Sequence, residues 1–214
     1  MTRIYLTRHG QTDWNVQKRM QGQNNSSLTA LGVQQAKAVG DYLSGIELSA
    51  IYSSSSLRAL QTAELIRGKR MLDIIPEDDL REIYLGSWEG MFYSEIESLY
   101  PEQFDHFWNY PEKYVPLDGE TYEALKKRVS NKIEEIAKKH QGETVLIVAH
   151  GMALKTLYTY FRYQSIRDVV CGPPVKSACL CMVEKEYGIW NIMKWNETEH
   201  LENLGFSATE VVLL

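Results

Sequence analysis

The sequence predicts an α/β protein, a three-layer α/β/α sandwich whose sheet is mostly parallel with an antiparallel edge. Short apolar runs alternate with longer amphipathic runs along most of the chain, a pattern typical of strands that alternate with helices. Two β-rich runs close the chain around Tyr187-Gly188 and predict a hairpin beside the parallel strands. Because 214 residues with 44% hydrophobic content can form one core, we expect a single domain over residues 1–214.

The first part of the chain repeats the order strand, loop, helix. Thr29 is a suitable N-cap for the first helix, and Gly45 ends it. A serine run, Ser53 to Ser56, lies between the second strand and the second helix. We expect strands at 3–7, 51–52 and 71–75, the last stopping at Pro76, and helices from Thr29 to Gly45 and at 57–66.

Residues 91–117 have a different composition from the rest of the chain. A short helix is predicted at 93–100, and prolines interleaved with aromatic side chains follow it. We predict a lid or side subdomain over 91–117. Lys113 is the only lysine or arginine in it, against five acidic residues, so the segment is poor in cations.

The second part begins with a long amphipathic helix predicted at 120–140. A strand at 144–148, a buried helix after Gly151 and a shorter helix at 166–170 follow. The closing strands are expected at 178–183 and 189–195. The residues expected on the inward face of the long helix are Leu125, Val129, Ile133, Ile136 and Ala137.

Composition restricts the partners of the protein. The net charge of −5 argues against a nucleic-acid surface, and a phosphorylated substrate must be attracted by local cations. No apolar run approaches the ~20 residues that span a bilayer, and the start lacks a signal-peptide stretch, so we expect a cytoplasmic protein without a membrane partner. Cys171, Cys179 and Cys181 lack metal-binding spacing, so we expect free thiols and no metal.

Two of the predicted strands end in the same dipeptide. Arg8-His9-Gly10 follows the first strand, and His150-Gly151 follows the strand at 144–148. Because ligands of open α/β sheets bind beyond the carboxyl ends of parallel strands, the two histidines can share a pocket, and glycine permits close approach of a ligand. Arg58 follows the serine run at the same edge. Arginine suits phosphoryl oxygens, and the serine hydroxyls and amides can also donate to an anion.

Six motifs in order resemble the histidine phosphatase superfamily, in its phosphoglycerate mutase-like branch. One motif alone would be a weak signal, but the series covers most of the chain. The motifs are Leu6-Thr7-Arg8-His9-Gly10-Gln11-Thr12-Asp13-Trp14-Asn15; Arg19-Met20-Gln21-Gly22 with Leu28-Thr29-Ala30-Leu31-Gly32 and Gln35-Ala36; Ser53 to Ala63; Leu80-Arg81-Glu82 with Gly86-Ser87-Trp88-Glu89-Gly90; Gly119-Glu120-Thr121; and Val148-Ala149-His150-Gly151.

The resemblance implies the phosphoglycerate mutase-like fold and a phosphomonoesterase that acts through a phosphohistidine on His9, without a cofactor. A neutral imidazole is a competent nucleophile, and we expect its second nitrogen to donate to the Gly10 carbonyl. Arg8, Arg58 and a protonated His150 would surround the phosphoryl oxygens. The matched positions expected to bind substrate are Asn15, Gln21, Gly22 and Gly151.

Glu82 is the candidate general acid, because an expelled alkoxide needs a proton at neutral pH. It matches the glutamate of the family stretch Leu-x-Glu-x-x-x-Gly-x-Trp-Glu-Gly, and an anionic phosphate beside it favours the protonated carboxyl. An alternative is a structural ion pair of Glu82 with Arg81 or Arg58. Glu89 is the weaker candidate for the acid, since its neighbours form a packing turn.

Two activities fit the resemblance. A cofactor-dependent phosphoglycerate mutase needs extra cations in the lid to hold a bisphosphate, and residues 91–117 lack them. The mutases' asparagine after the second His-Gly is also replaced by Met152. We therefore favour hydrolysis of a small phosphomonoester, with aromatic side chains contacting its organic part. Broad-specificity phosphatases and α-ribazole phosphatases both remain open as relatives.

Hypotheses from other classes are a metal-dependent hydrolase and a catalytically silent phosphate-binding module. The first would use His9, His150 and Asp13 as ligands, but Arg8 beside them opposes a metal charge. The second is opposed by the intact His9, Glu82 and His150. The sequence leaves the oligomeric state open, and a homodimer is one option.

Overall fold

The structure, a computed structural model, describes residues 1–202 and contains one six-stranded mixed sheet. Its strands are β1 (Thr2–Arg8), β2 (Ala50–Ser54), β3 (Ile74–Glu77), β4 (Thr144–Ala149), β5 (Leu180–Glu186) and β6 (Ile189–Glu197), in the spatial order β3-β2-β4-β1-β5-β6. The first four strands in that order are parallel, whereas β5 is antiparallel to β1 and β6 is antiparallel to β5. This topology confirms the predicted fold class.

Helices cover both faces of the sheet. They are α1 (Asp13–Gln17), α2 (Ala30–Tyr42), α3 (Leu57–Arg67), α4 (Tyr93–Leu99), α5 (Pro101–Asn109), α6 (Tyr122–Lys139), α7 (Gly151–Phe161) and α8 (Glu199–Glu202). Thr29 caps α2 as predicted, its side chain accepting a hydrogen bond from the backbone of Gly32. The short helix expected at 166–170 is a 3-10 turn at Ile166–Val169.

Alternation along the strands divides the core between the two faces. In β1, Ile4 and Leu6 belong to the core beneath α6 and α7, whereas Tyr5 packs with residues of α2 and α3. Residues of β4 alternate in the same way, because successive strand side chains point to opposite faces. All five side chains expected on the inward face of α6 are buried.

The third strand lies further along the chain than predicted. We expected it at 71–75 with a stop at Pro76, but β3 covers Ile74–Glu77 and includes that proline. Pro76 lacks an N–H group, which a central strand would require. β3 is the edge strand and pairs with β2 alone, so the missing donor costs no ladder hydrogen bond there.

Residues 91–117 contain two helices instead of the single predicted one. Pro101 lies in the first turn of α5, where proline is tolerated because that N–H has no helical partner. Phe107 of α5 is buried and contacts Trp88 and Tyr122, which belong to the same core as the sheet. The segment is therefore anchored to the main core, and its function as a lid stays a prediction.

The single predicted domain extends to residue 214, and residues 203–214 of it lie outside the described part. None of the helices in residues 1–202 combines the length and the apolar character needed to cross a bilayer.

Candidate active site

His9 and His150 lie side by side at the carboxyl ends of β1 and β4. The two strands are parallel neighbours with Arg8 opposite Ala149, and the His9 backbone N–H donates to the Ala149 carbonyl at 3.0 Å. The ring centroids are 5.2 Å apart with an angle of 60° between the planes. The structure thus brings together the two strand-terminal histidines as the sequence predicts.

Hydrogen bonds fix the tautomer of His9. Its Nδ1 lies 2.8 Å from the Gly10 carbonyl oxygen, which can only accept, so Nδ1 carries the proton. The Arg58 Nε–H donates to His9 Nε2 at 3.2 Å, so Nε2 is unprotonated and its lone pair accepts this hydrogen bond. Burial lowers the pKa of His9 well below its ordinary value, and the Arg58 and Arg8 guanidinium groups lower it further. His9 is therefore a neutral imidazole.

Gly10 is needed for packing, not for the close approach of a ligand that we expected. A Cβ at this position would collide with the backbone of Gly32 in the first turn of α2. The absence of a side chain lets the loop after β1 lie directly against that helix.

Arg58 lies in the first turn of α3, where the helix dipole disfavours a cation. Its guanidinium donates to the carbonyls of Asn24 at 2.6 Å and Gly22 at 2.7 Å, in addition to His9. Burial lowers its pKa to about 10, against a favourable field from Glu82, so it stays charged at neutral pH. Arg58 thus orients both the nucleophile candidate and a loop.

His150 is held between Arg58 and Ser54. Arg58 Nη2 donates to His150 Nδ1 at 3.0 Å, so the proton of the neutral ring lies on Nε2, 2.7 Å from Ser54 Oγ. Burial lowers the pKa of His150 well below its ordinary value, and Arg58 lowers it further. Without a bound anion the ring is therefore neutral, because a buried cation beside two arginines is disfavoured, and the proton expected on it during transfer stays a prediction.

The Arg8 guanidinium does not use all of its N–H donors within the described residues. Its Nη1 donates to the Val175 carbonyl at 2.9 Å, whereas Nε is buried and has no hydrogen-bond partner in the described residues. The side chain is only 2% exposed and faces the same cleft as His9. A buried donor without a partner is costly, so this Nε–H can donate to an acceptor that residues 1–202 do not supply.

Glu82 is held at the N-terminus of α7. Its Oε2 accepts from the Met152 amide at 3.0 Å, and its Oε1 accepts from the Ala153 amide at 3.1 Å and from its own neighbour Ile83 at 2.9 Å. Within residues 1–202 it forms no ion pair with Arg81 or Arg58, so the alternative of a structural salt bridge is wrong.

A small cleft opens between these groups. Its polar lining includes Arg8, Arg58, His9 and the Glu82 carboxylate, whereas His150 is not among the lining residues, and most of the other lining side chains are apolar or aromatic. A small anion can therefore contact the polar side chains while an organic group contacts the apolar ones. The lining residues are Arg8, His9, Met20, Gln21, Gly22, Arg58, Glu82, Ile83, Leu85, Tyr93, Phe107 and Met152.

Residues 4–198 match the family model of the histidine phosphatase superfamily, branch 1. The chain belongs to this superfamily. The assignment confirms the resemblance drawn from the six motifs, and it confirms the expected enzyme class, a phosphoric monoester hydrolase.

Relatives of this histidine phosphatase span nearly its whole length. YhfR of Bacillus stearothermophilus has a solved structure with a TM-score of 0.92 and 41% identity, covering 94% of this chain and 100% of that one. A metal-independent phosphoserine phosphatase of Arabidopsis thaliana is 34% identical over 96% of this chain and 86% of its own. Phosphoglycerate mutase-like protein 4 of the same plant is 34% identical over 95% and 88%.

Four further residues of the histidine phosphatase were expected to bind substrate, and the structure separates them. Gln21 and Gly22 line the cleft. Asn15 and Gly151 are buried without lining it, although the Asn15 Nδ2 has no partner among the described residues. The Oδ1 of Asn15 accepts from Thr12 and completes the cap of α1.

Sequence reasoning missed two contributors to the site of the phosphatase. We expected the whole serine run to face an anion, but within it only the Ser54 hydroxyl contacts a candidate catalytic ring. We regarded Glu89 as a packing residue, but its carboxylate accepts from the amides of Gln23 at 2.7 Å and Asn24 at 3.1 Å. Those amides belong to the loop whose carbonyls hold Arg58. The contact of Ser54 with His150 follows from the pairing of β2 with β4. The position of Glu89 against the loop has no comparable signal.

Proposed function

We propose that this histidine phosphatase hydrolyses small phosphorylated metabolites through a phosphohistidine on His9. The observation that carries the proposal is the orientation of the ring. Nδ1 is tied to the Gly10 carbonyl, so Nε2 is the unprotonated nitrogen, and its lone pair, which here accepts from Arg58 Nε, becomes free when a phosphoryl oxygen takes over that donor. The lowered pKa of His9 keeps the ring neutral and therefore nucleophilic at neutral pH.

In the first step the His9 Nε2 lone pair forms an N–P bond as the ester P–O bond breaks. The leaving oxygen takes a proton from Glu82, which lies in the same cleft. In the second step water attacks phosphorus, Glu82 takes back a proton, and the N–P bond breaks to release phosphate. The enzyme returns to its starting state, so neither a metal nor a cofactor enters the balance.

The cations stabilise charge on the transferring phosphoryl group. Arg8 supplies an Nε–H donor that has no partner within residues 1–202, and Arg58 supplies a charge between the two imidazoles. An anionic phosphoryl group offsets the repulsion that lowers the pKa of His150, which favours a proton on that ring during transfer. Preorganised cations of this kind are a large term in phosphoryl transfer.

The cleft favours a monoester with an apolar or aromatic organic part. Met20, Ile83, Leu85 and Phe107 line the cleft together with the cations. The segment 91–117 contributes only Lys113 as a lysine or arginine, so a second phosphate finds little charge to bind there. This supports hydrolysis over the mutase alternative, although the names of some relatives refer to a mutase.

Capture of the phosphoenzyme tests the proposal. Rapid acid-free quenching during turnover of a radiolabelled monoester is expected to trap label that is stable to base and lost in acid. His9→Ala is expected to trap none and to lose turnover while keeping the wild-type circular dichroism spectrum. Label on a serine or cysteine would contradict the proposal. 3-Phosphoglycerate assayed in parallel for isomerisation and for phosphate release separates mutase from phosphatase.

A further inference from the structure

The backbone segment that carries Glu82 has little regular structure of its own. It follows a 3-10 turn at Asp78–Leu80 and precedes another at Gly86–Trp88, and residues 81–85 belong to no helix or strand. Carbonyl groups in such a segment need partners outside it. Whatever binds them fixes the backbone from which the carboxylate reaches the amides of Met152 and Ala153.

Arg128 of α6 binds this segment at three points. Its Nη1 donates to the carbonyls of Asp79 at 3.0 Å and Arg81 at 2.8 Å, and its Nη2 donates to the carbonyl of Glu82 itself at 3.1 Å. One planar guanidinium thus fixes the backbone on both sides of Arg81 and at the candidate acid.

Glu120 fixes Arg128 in turn. The carboxylate accepts from Arg128 Nε at 2.9 Å and from Nη2 at 2.7 Å, a two-point pair that determines the plane of the guanidinium. The backbone of Glu120 donates to the Tyr84 carbonyl at 2.7 Å, and its Oε2 accepts from the Tyr84 amide at 3.3 Å. The pair therefore contacts the segment before and after the acid.

We infer that Arg128, oriented by Glu120, is a positioning residue that holds Glu82 in line with the leaving oxygen. The inference rests on the proposed function, in which Glu82 is the general acid. Arg128 does not line the cleft, so it acts through the backbone of the acid and not on the substrate. It predicts that loss of the guanidinium harms proton delivery and spares the binding of the phosphoryl group.

Leaving groups distinguish proton delivery from general damage. An alkyl phosphate needs the proton as its bond breaks, whereas p-nitrophenyl phosphate expels a stable anion and needs it little. A misplacement of a catalytic group such as the Glu82 carboxyl by about 1 Å can cost about 100-fold in rate. kcat/KM is the quantity to compare, because it reports phosphoryl transfer to His9 even where hydrolysis of the phosphoenzyme limits kcat.

Arg128→Lys keeps the charge but loses the planar fork, and Arg70→Lys is its matched control. Arg70 also binds three carbonyls, those of Ile66, Arg67 and Leu43, and it does not line the cleft. We expect kcat/KM of Arg128→Lys to fall at least about tenfold for an alkyl phosphate and less than about threefold for p-nitrophenyl phosphate, with unchanged vanadate inhibition. Arg70→Lys is expected to keep the wild-type ratio of the two substrates.

Equal loss on both substrates, or no loss on either, would overturn the inference. Glu82→Gln measured in parallel distinguishes a wrong acid assignment for Glu82 from a wrong positioning role for Arg128. If Glu82→Gln shows the leaving-group effect and Arg128→Lys does not, only the positioning role is wrong. If Glu82→Gln lacks the effect, the acid assignment fails and the positioning role fails with it. In Glu82→Gln, adding Arg128→Lys is expected to cost alkyl phosphates little more.

A folding defect in Arg128→Lys does not remove the test. Glu120→Gln keeps the Arg128 charge and weakens one arm of the pair, so it is expected to change the substrate ratio in the same direction by a smaller factor. Thermal unfolding followed by circular dichroism identifies the variants that are folded at the assay temperature. A Glu120→Gln protein that is folded and has the wild-type ratio would overturn the inference.

Discussion

Single residues of the site divide into groups that face the substrate and groups that hold other groups. Arg8 keeps an unpartnered donor, so its guanidinium is available for phosphoryl oxygens. Arg58 commits its donors to His9, His150 and the carbonyls of Gly22 and Asn24. The two arginines, equivalent in the sequence argument, therefore have different environments and are expected to fail in different ways.

Replacement of Arg58 tests the origin of the low histidine pKa values. Arg58→Met removes a cation that lowers the pKa of both His9 and His150, so both pKa values rise. Because His9 must be neutral to attack, the acid limb of the kcat/KM profile moves to higher pH. Arg58→Lys keeps the charge and is the matched control. A pH–rate series on p-nitrophenyl phosphate measures the limb, and coincident limbs in the two variants would contradict the electrostatic account.

The sequence predicted the chemistry of these residues better than their hydrogen bonds. The Gly10 partner of His9 followed from the need to free one ring nitrogen, and the structure has it. The neutral state of His150 without an anion did not follow, because burial and the distance to Arg58 are properties of the folded chain. For the same reason the loop carbonyls that bind Arg58 were beyond sequence reasoning.

Elements of the fold act on the site through short loops. The ends of β1 and β4 place the imidazoles, α7 places its first amides on Glu82, and the loop 22–24 places carbonyls on Arg58. Glu89 organises that loop from a different part of the chain. Gly22 is part of the same arrangement, because its φ of 51° is strained for other residues and a Cβ there would collide with the Glu89 carboxylate.

Glu89→Gln is expected to weaken binding of the phosphoryl group. The amide replaces one acceptor with a donor that faces the N–H of Gln23 or Asn24, and the loss of one hydrogen bond to a charged group costs about 1.5 kcal/mol. The loop and with it Arg58 lose their fixed position. We expect the vanadate inhibition constant to rise about tenfold, since 1.4 kcal/mol is a factor of about ten.

Glu95→Gln is the matched control for this change. Glu95 also accepts one backbone amide, that of Phe92 at 2.7 Å, but it does so in the capping box of α4 and does not line the cleft. It is expected to lose a little stability and to keep the wild-type vanadate constant. Equal constants for the wild type and Glu89→Gln would rule out a role of this carboxylate in anion binding.

The sequence predicted elements well where one periodicity dominates. The long amphipathic α6 and the apolar β4 lie where expected, because a period near 3.6 and a continuous apolar run each leave few alternatives. β3 is displaced because an edge strand accepts Pro76, and α5 was missed because Pro101 starts a helix as readily as it ends one. In both cases the spatial neighbours of the proline decide whether it lies inside an element or ends it, and those neighbours are distant in the sequence.

The molecule as a whole carries a net charge of −5 and concentrates cations where the anion must bind. Arg8 and Arg58 are buried with His9 and His150, and burial together with the field of the arginines lowers the pKa of both rings. Because the unfolded chain has no such restriction, the site that binds phosphate also makes the stability of the whole fold depend on pH.

Folding stability is accordingly expected to fall as the pH falls below about 6.5, the ordinary pKa of histidine. The folded pKa values of His9 and His150 are lowered, so below pH 6.5 the unfolded chain binds protons that the folded chain excludes. Each excluded proton contributes a slope of about 1.4 kcal/mol per pH unit to the free energy of unfolding, and the stability is fully present above pH 6.5.

Urea unfolding at pH 7.5, 6.5 and 5.5 in phosphate-free buffer measures the slope. His9→Gln removes one of the two protons, and because all other groups are shared, the difference between the proteins isolates His9. Parallel stability curves for the wild type and His9→Gln over this range would show that the folded chain binds the His9 proton as readily as the unfolded chain does, and the lowered pKa of His9 would have to be abandoned.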